Sequence, residues 1–366
     1  MPLDRTISRA IGKVRQAGTP SRNFNTVQDI VIPAEVAEIE FEGVAECIVL
    51  FDTGPNDINR MIGFSNVRLV QLAEESTKFQ MDGTFSKAPK IYNNGTTNHG
   101  QLYTLQAERN GLLIHVLYVL MKIRNQTEYS RLFSKLIDLG MFNPTHVLMD
   151  LELAARNSIR NHFPNCIITV CYYHFQESLY SWLSMHQMKS RYAEDTTFRK
   201  TVHKFGALAF VPTEYVLDAW RILNNEVNEI HENDPDIEEF ISYFTSSFIG
   251  RIREDGRQNQ PRYPIEQWNQ YFNVMNDAAR RNNQVEGWHN ALNHLNHCDH
   301  PNLFRLMDMI KMDMTKSRIR LIQDNPTPKR PIYRDLNKKI LRLCESFQEN
   351  NIIRFLIDVS NVYHSY

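Results

Sequence analysis

Residues 144–171, PTHVLMDLELAARNSIRNHFPNCIITVC, decide the fold class. Residues 145–149 are a short apolar run closed by Asp150, residues 152–162 carry a helical pattern, and residues 166–171 form a second apolar run after Pro164. A strand, a helix and a strand in such close succession read as a crossover unit, the connection that parallel strands require. Moving outward, residues 127–139 set Tyr129, Leu132, Phe133, Leu136 and Ile137 at the spacing of one helix face, and Pro144 ends that segment. Residues 102–121 hold two apolar runs around Arg109-Asn110-Gly111, and Asn-Gly tolerates φ > 0 at both positions, so this is a β-hairpin. Residues 78–82 read as a strand that delivers Asp82 at its end, immediately before Gly83. Helical periodicity marks residues 66–75, and residues 30–50, punctuated by Pro33 and Gly43, suit short strands or a hairpin. The order strand, hairpin, helix, strand, helix, strand, helix implies an α/β fold: a mixed sheet with helices on its faces.

The flanks differ in kind. Residues 1–26 are expected to be a flexible arm, basic through Arg5, Arg9, Lys13, Arg15 and Arg22, followed by an α+β segment at 27–77 that packs on the core. The core's first part spans 78–189. Residues 190–280 show long amphipathic patterns with Trp220 and Trp268 and no convincing strand, a helical insertion. Within it, residues 214–239 hold nine acidic side chains against Arg221 alone, a net charge of −8 that would repel phosphate. A further core helix is expected within 281–310, and 311–366 is a C-terminal helical region. There, residues 311–345 set ten Lys/Arg against four acids, the most basic stretch of the chain.

The 366 residues suit about two compact units. With 41 Lys/Arg against 42 Asp/Glu the formal charge is −1, so binding to a polyanion has to be local. No apolar run approaches the roughly 18 residues that span a bilayer, and the basic N-terminus lacks the apolar stretch of a secretory signal. Five scattered cysteines suit a reducing compartment rather than a disulfide framework. The expected location is the nucleus, or the cytoplasm before import, without secretion.

Asp82 and Asp150 each close an expected strand. Acids there serve commonly as turn or capping residues, but carboxylates at neighbouring strand ends can also share a hard divalent cation. A third acid, Glu286, lies in Asn283-Gln284-Val285-Glu286-Gly287-Trp288-His289-Asn290, where Val285, Trp288, Leu292 and Leu295 form an apolar stripe. Glu286, His289, Asn290 and Asn293 share the neighbouring polar face. Cleavage of a phosphodiester by two metal ions requires carboxylates from separate elements, which these three would supply.

Met81-Asp82-Gly83-Thr84-Phe85, residues 144–155, the pair Cys171 and His174, and the stretch around Glu286 together resemble, in order from about residue 31 to about residue 308, the transposases of Mutator-like elements. The resemblance implies a ribonuclease H-like mixed sheet flanked by helices, with a large all-helical insertion before the last catalytic helix. It further implies an Asp-Asp-Glu triad, Asp82, Asp150 and Glu286, holding two Mg²⁺ or Mn²⁺ ions. The activity implied is metal-dependent phosphodiester hydrolysis and strand transfer in DNA transposition, with double-stranded DNA as partner and homo-oligomerisation compatible with it. Cys171 and His174 match the family's C-x-x-H. Chemically they are two zinc ligands short of a site that His294, His297, Cys298 and His300 would have to complete; the favoured reading sets His174, and with it His289, in the cleft near the scissile phosphate, with zinc not expected. Lys87, Lys90, Lys329, Arg330, Lys338 and Lys339 are the expected contacts to the DNA backbone. The family's zinc-binding recognition module is not expected within residues 1–46, which hold no cysteine. The alternative is a domesticated, non-cleaving DNA-binding or regulatory protein of the same descent.

Overall fold

The computed structural model describes residues 24–93, 100–251, 253, 258–280, 299–323 and 331–364. In chain order the strands are β1 (Glu38–Phe41), β2 (Val44–Cys47), β3 (Val49–Asp52), β4 (Ile62–Phe64), β5 (Lys78–Thr84), β6 (Gln101–Arg109), β7 (Leu112–Met121), β8 (His146–Met149) and β9 (Ile167–Val170). The helices are α1 (Ala34–Ala37), α2 (Val67–Glu75), α3 (Gln126–Asp138), α4 (Leu153–His162), α5 (Tyr172–Met185), α6 (Lys189–Glu194) and α7 (Thr196–Ala207). They continue as α8 (Val216–Ile230), α9 (Pro235–Phe244), α10 (Ile265–Trp268), α11 (Tyr271–Met275), α12 (Leu303–Gln323), α13 (Pro331–Glu345) and α14 (Ile352–His364). β1 and β2 form a hairpin, and the other seven strands form one mixed sheet in the order β3-β4-β7-β6-β5-β8-β9, flanked by helices. The neighbours from β3 to β5 pair antiparallel, whereas β8 and β9 run parallel.

Local chemistry accounts for the elements. Asn110 and Gly111 adopt φ of 50° and 75°, the left-handed pair that a two-residue hairpin turn needs, and Arg109 faces Leu112 across it. Asn66 and Asn125 cap α2 and α3 by accepting the N–H of Leu69 and Glu128 at 3.0 and 2.8 Å. All ten residues of β7 are buried, and an apolar run interrupted only by His115 marks a strand covered on both faces. β5 extends to Thr84, two residues past the expected end, because Gly83 and Thr84 continue the ladder opposite Tyr103 and Leu102. Asp82 therefore sits inside the strand.

Packing divides the chain into two compact units, each with its own core. The first contains β1 to β7, α1 to α4 and α12. Its centre is an aromatic cluster in which Phe142 touches Phe79, Phe133 and Phe163 at ring centroid separations of 5.1 to 5.4 Å. Tyr129, Leu132, Phe133 and Leu136 of α3 are buried, while Ile137, at the edge of that stripe, is 40% exposed. Along α12, Asp313 accepts the Tyr118 hydroxyl hydrogen and lies 3.4 Å from His115 Nδ1, while Arg318 pairs with Glu46 at 3.1 Å and stacks on Phe41.

The second unit contains β8, β9, α5 to α11, α13 and α14. Between residues 190 and 280 its described part is helical, with no β-strand. Phe175 stacks on Trp268 at 5.2 Å, with Phe244 and Phe248 set on edge around them. The acidic run at 214–239 is partly neutralised inside the unit: Arg191 donates to Asp234 and Asp236, and Lys204 to Glu226. Among the described residues no helix is long and apolar enough to cross a membrane.

Candidate active site

In the second unit, the parallel register pairs Met149 with Val170, so the next residues, Asp150 and Cys171, emerge side by side at the C-terminal ends of β8 and β9. The Cys171 N–H donates to the Met149 carbonyl at 2.8 Å, closing the ladder there. Asp150 is half-buried, and its Oδ1 accepts the Glu152 N–H at 3.0 Å, an Asx turn that leads into α4 and fixes the rotation of the carboxyl group. Tyr263 supports the same turn by donating its hydroxyl to the Leu151 carbonyl at 3.1 Å, and Gln270 Nε2 donates to the Val170 carbonyl at 2.8 Å.

Cys171 is fully buried and occupies the N-cap position of α5 without capping it through its side chain. His174, in the first turn of α5, is half-buried, and its Nδ1 has no hydrogen-bond partner among the described residues. A buried ring nitrogen without a partner costs free energy unless a ligand or a neighbouring segment completes it. The Tyr172 N–H donates to the Arg280 carbonyl at 2.9 Å. The chain thus leaves residue 280 for the stretch 281–298 from the end of β9, beside Asp150 and His174.

In the first unit, Asp82 is 6% exposed, and its Oδ1 accepts the Gly83 N–H at 2.9 Å. A Cβ at Gly83 would stand 2.0 Å from Gln101 Oε1, so that buried side chain, which donates to the Tyr129 hydroxyl, would have to shift. Beyond the strand, the Arg124 guanidinium lies 4.3 Å above the exposed Phe85 ring. The loop that follows receives the chain as it returns from the stretch 281–298. The His300 N–H donates to the Ser86 carbonyl at 2.6 Å, and its ring Nδ1 to the Ala88 carbonyl at 2.9 Å.

Glu286 and His289 lie outside the described residues, as do Lys329, Arg330, His294, His297 and Cys298. Asp82 and Lys87 belong to one unit, and Asp150, Cys171, His174, Lys338 and Lys339 to the other. His300 likewise lies in the unit that lacks Cys171 and His174. Lys87 does not face solvent: it is 1% exposed, with Nζ 3.6 Å from an Asp299 carboxyl oxygen. Lys90 is exposed at the start of a 3-10 turn, Lys90–Tyr92. Lys338 and Lys339 are exposed on α13, where Leu336, Ile340 and Cys344 are buried and Arg334, Lys338 and Arg342 form an outer stripe at four-residue steps. The basic segment 311–345 is shared between the units, with α12 in the first and α13 in the second.

Reading the sequence missed three participants: Gln101 against Gly83, Arg280 at the end of β9, and the return contact through His300. Gly83, placed directly after an acid, was the one local signal of a close approach. Among the described residues no three His, Cys, Asp or Glu side chains stand together to hold a metal ion. Each unit contributes one carboxylate whose rotation is fixed by a main-chain N–H, and carboxylate oxygen is a donor of the kind hard divalent ions take. No protein-family model and no curated protein matches the chain.

Proposed function

We propose that the chain is the catalytic core of a DNA transposase similar to those of Mutator-like elements, with a ribonuclease H-like sheet and residues 190–280 as the helical insertion. The observation that supports this reading is Asp150 at the C-terminal end of β8, beside the end of the parallel strand β9, with its carboxyl oriented by the Glu152 N–H and the Cys171-x-x-His174 pair starting directly next to it.

Asp82, Asp150 and Glu286 would hold two Mg²⁺ or Mn²⁺ ions, which when bound activate the attacking oxygen and stabilise the leaving oxygen of an in-line displacement. The chain's own contributions are positional. The Gly83 and Glu152 N–H groups hold the two aspartates in one rotation each, so little ordering is left for the moment of reaction. His174 offers a buried nitrogen to a phosphate oxygen. Arg334, Lys338 and Arg342 on α13 would grip the backbone of double-stranded DNA, with affinity falling as salt rises.

The test is incubation of the purified chain with Mg²⁺ or Mn²⁺ and labelled duplex DNA beside Asp150→Asn. Metal-dependent cutting that drops at least about a hundredfold in the variant is expected. Equal cutting by both proteins defeats the reading. Salt-dependent binding without cutting by either assigns the chain to the non-cleaving, domesticated alternative.

A further inference from the structure

The second unit carries a feature that DNA cleavage does not use. A recess of about 240 Å³ opens between α5, α6 and α7. Tyr173, Gln176, Glu177 and Tyr180 follow one another at i, i+3, i+4 and i+7, so one face of α5 makes a wall. Tyr192 of α6 and His203 of α7 make the facing wall, over an apolar floor of Leu179 and Val202.

The rings are set on edge. Tyr180 and Tyr192 lie 5.6 Å apart at 70°, and Tyr192 and His203 lie 5.7 Å apart at 68°. A hydrogen bond of 2.7 Å between the Tyr192 hydroxyl and His203 Nε2 locks the second pair. A flat base needs parallel faces between which to stack, whereas rings at right angles enclose a compact, rounded group. The π faces carry partial negative charge and attract a cation. Lys189 already shows this on the chain itself, with its ammonium 5.9 Å from the Tyr180 ring centroid.

The rim adds one carboxylate, since Glu177 is exposed there. Of the neighbouring cations, Arg191 is paired with Asp234 and Asp236 and Lys204 with Glu226, while Lys189 lies beside the Tyr180 ring. An acid at the mouth of an aromatic recess favours a cation over a neutral group. We propose that this recess binds the methylated ammonium of a lysine side chain of a partner protein. A trimethylated ammonium gives up little hydration on entering an aromatic box, where a primary ammonium gives up much. The proposal stands whether or not the chain cleaves DNA.

The experiment is calorimetric titration of the full chain with a heptapeptide that alternates glycine and serine around one central lysine, with that lysine trimethylated, unmodified or acetylated. The trimethylated peptide is expected to bind about tenfold tighter than the other two, and more weakly as salt rises. Tyr173→Ala, at a residue 42% exposed and therefore removable without loss of the fold, is expected to weaken binding about fivefold. Glu177→Gln is expected to weaken it severalfold, and Tyr192→Phe, which keeps the ring, to leave it within about twofold. Circular dichroism confirms that each variant is folded. No binding at millimolar peptide, equal binding of the three peptides, or full affinity in both Tyr173→Ala and Glu177→Gln would overturn the proposal.

Discussion

The Tyr172 main-chain N–H donates to the Arg280 carbonyl oxygen at 2.9 Å, fastening the chain that leads to Glu286 onto the first turn of α5. The Arg280 guanidinium in turn donates to Asn337 Oδ1 on α13, so the anchor is held from two sides of its own unit. Asn337→Ala should cost about 1.5 to 3 kcal/mol in urea unfolding, the range for a hydrogen bond to a charged group. DNA cutting should fall severalfold more than the small unfolded fraction explains. Unchanged cutting would show that the anchor does not position the site.

Gly83→Ala tests the strand that carries Asp82. The new Cβ would overlap Gln101 Oε1, forcing a buried side chain off its bond to Tyr129. The expected loss is about 1 to 3 kcal/mol in chemical denaturation. Adding Gln101→Ala should recover part of it, a coupling visible in a double-mutant cycle.

Lys87 separates a structural role from a DNA contact. Its stem and ammonium are buried beside Asp299, so Lys87→Ala should destabilise the chain by about 2 to 4 kcal/mol, and Lys87→Met, which keeps the stem, by less. A direct phosphate contact would instead give both variants normal stability and a smaller salt slope in DNA binding.

Acid stability should report His115. Burial holds its imidazole at about 4, below the 6.5 of an exposed histidine, with Asp313 opposing that shift and Arg320 adding to it. Gln106 Nε2 lies 2.6 Å from its Nε2, and the Tyr118 ring stacks on it. Between those two values the unfolded chain takes up a proton that the folded chain refuses. Folding stability should therefore fall as pH drops from about 6.5 towards 4, by up to roughly 3 kcal/mol. His115→Gln should flatten urea-midpoint profiles in that window, leaving only the carboxylate titrations below it.

The order of elements around the sheet was legible because each rests on local chemistry: Asn110-Gly111 demands its turn, and the apolar run of β7, broken only by His115, demands cover on both faces. The strand and helix alternation of residues 144–171 could be read for the same reason. What could not be read depends on partners distant in the chain. Gln101 lies against Gly83 only across the β5 and β6 ladder, and the burial of Lys87 depends on Asp299, more than two hundred residues away. The division into units was equally hidden, since α4 packs with the first unit while the strands on either side of it belong to the second. The exposure of Ile137 has the same origin, because periodicity gives the centre of an apolar stripe but not how far its cover extends.

Metal binding tests the proposed convergence of the three acids most directly. Mn²⁺ titrated into the chain with duplex DNA present, followed by electron paramagnetic resonance, should show two tightly held ions in the wild type. Asp82→Asn and Glu286→Gln, substituted more than two hundred residues apart, should each lose most of that binding while remaining folded. Undiminished Mn²⁺ binding in both variants would contradict the account.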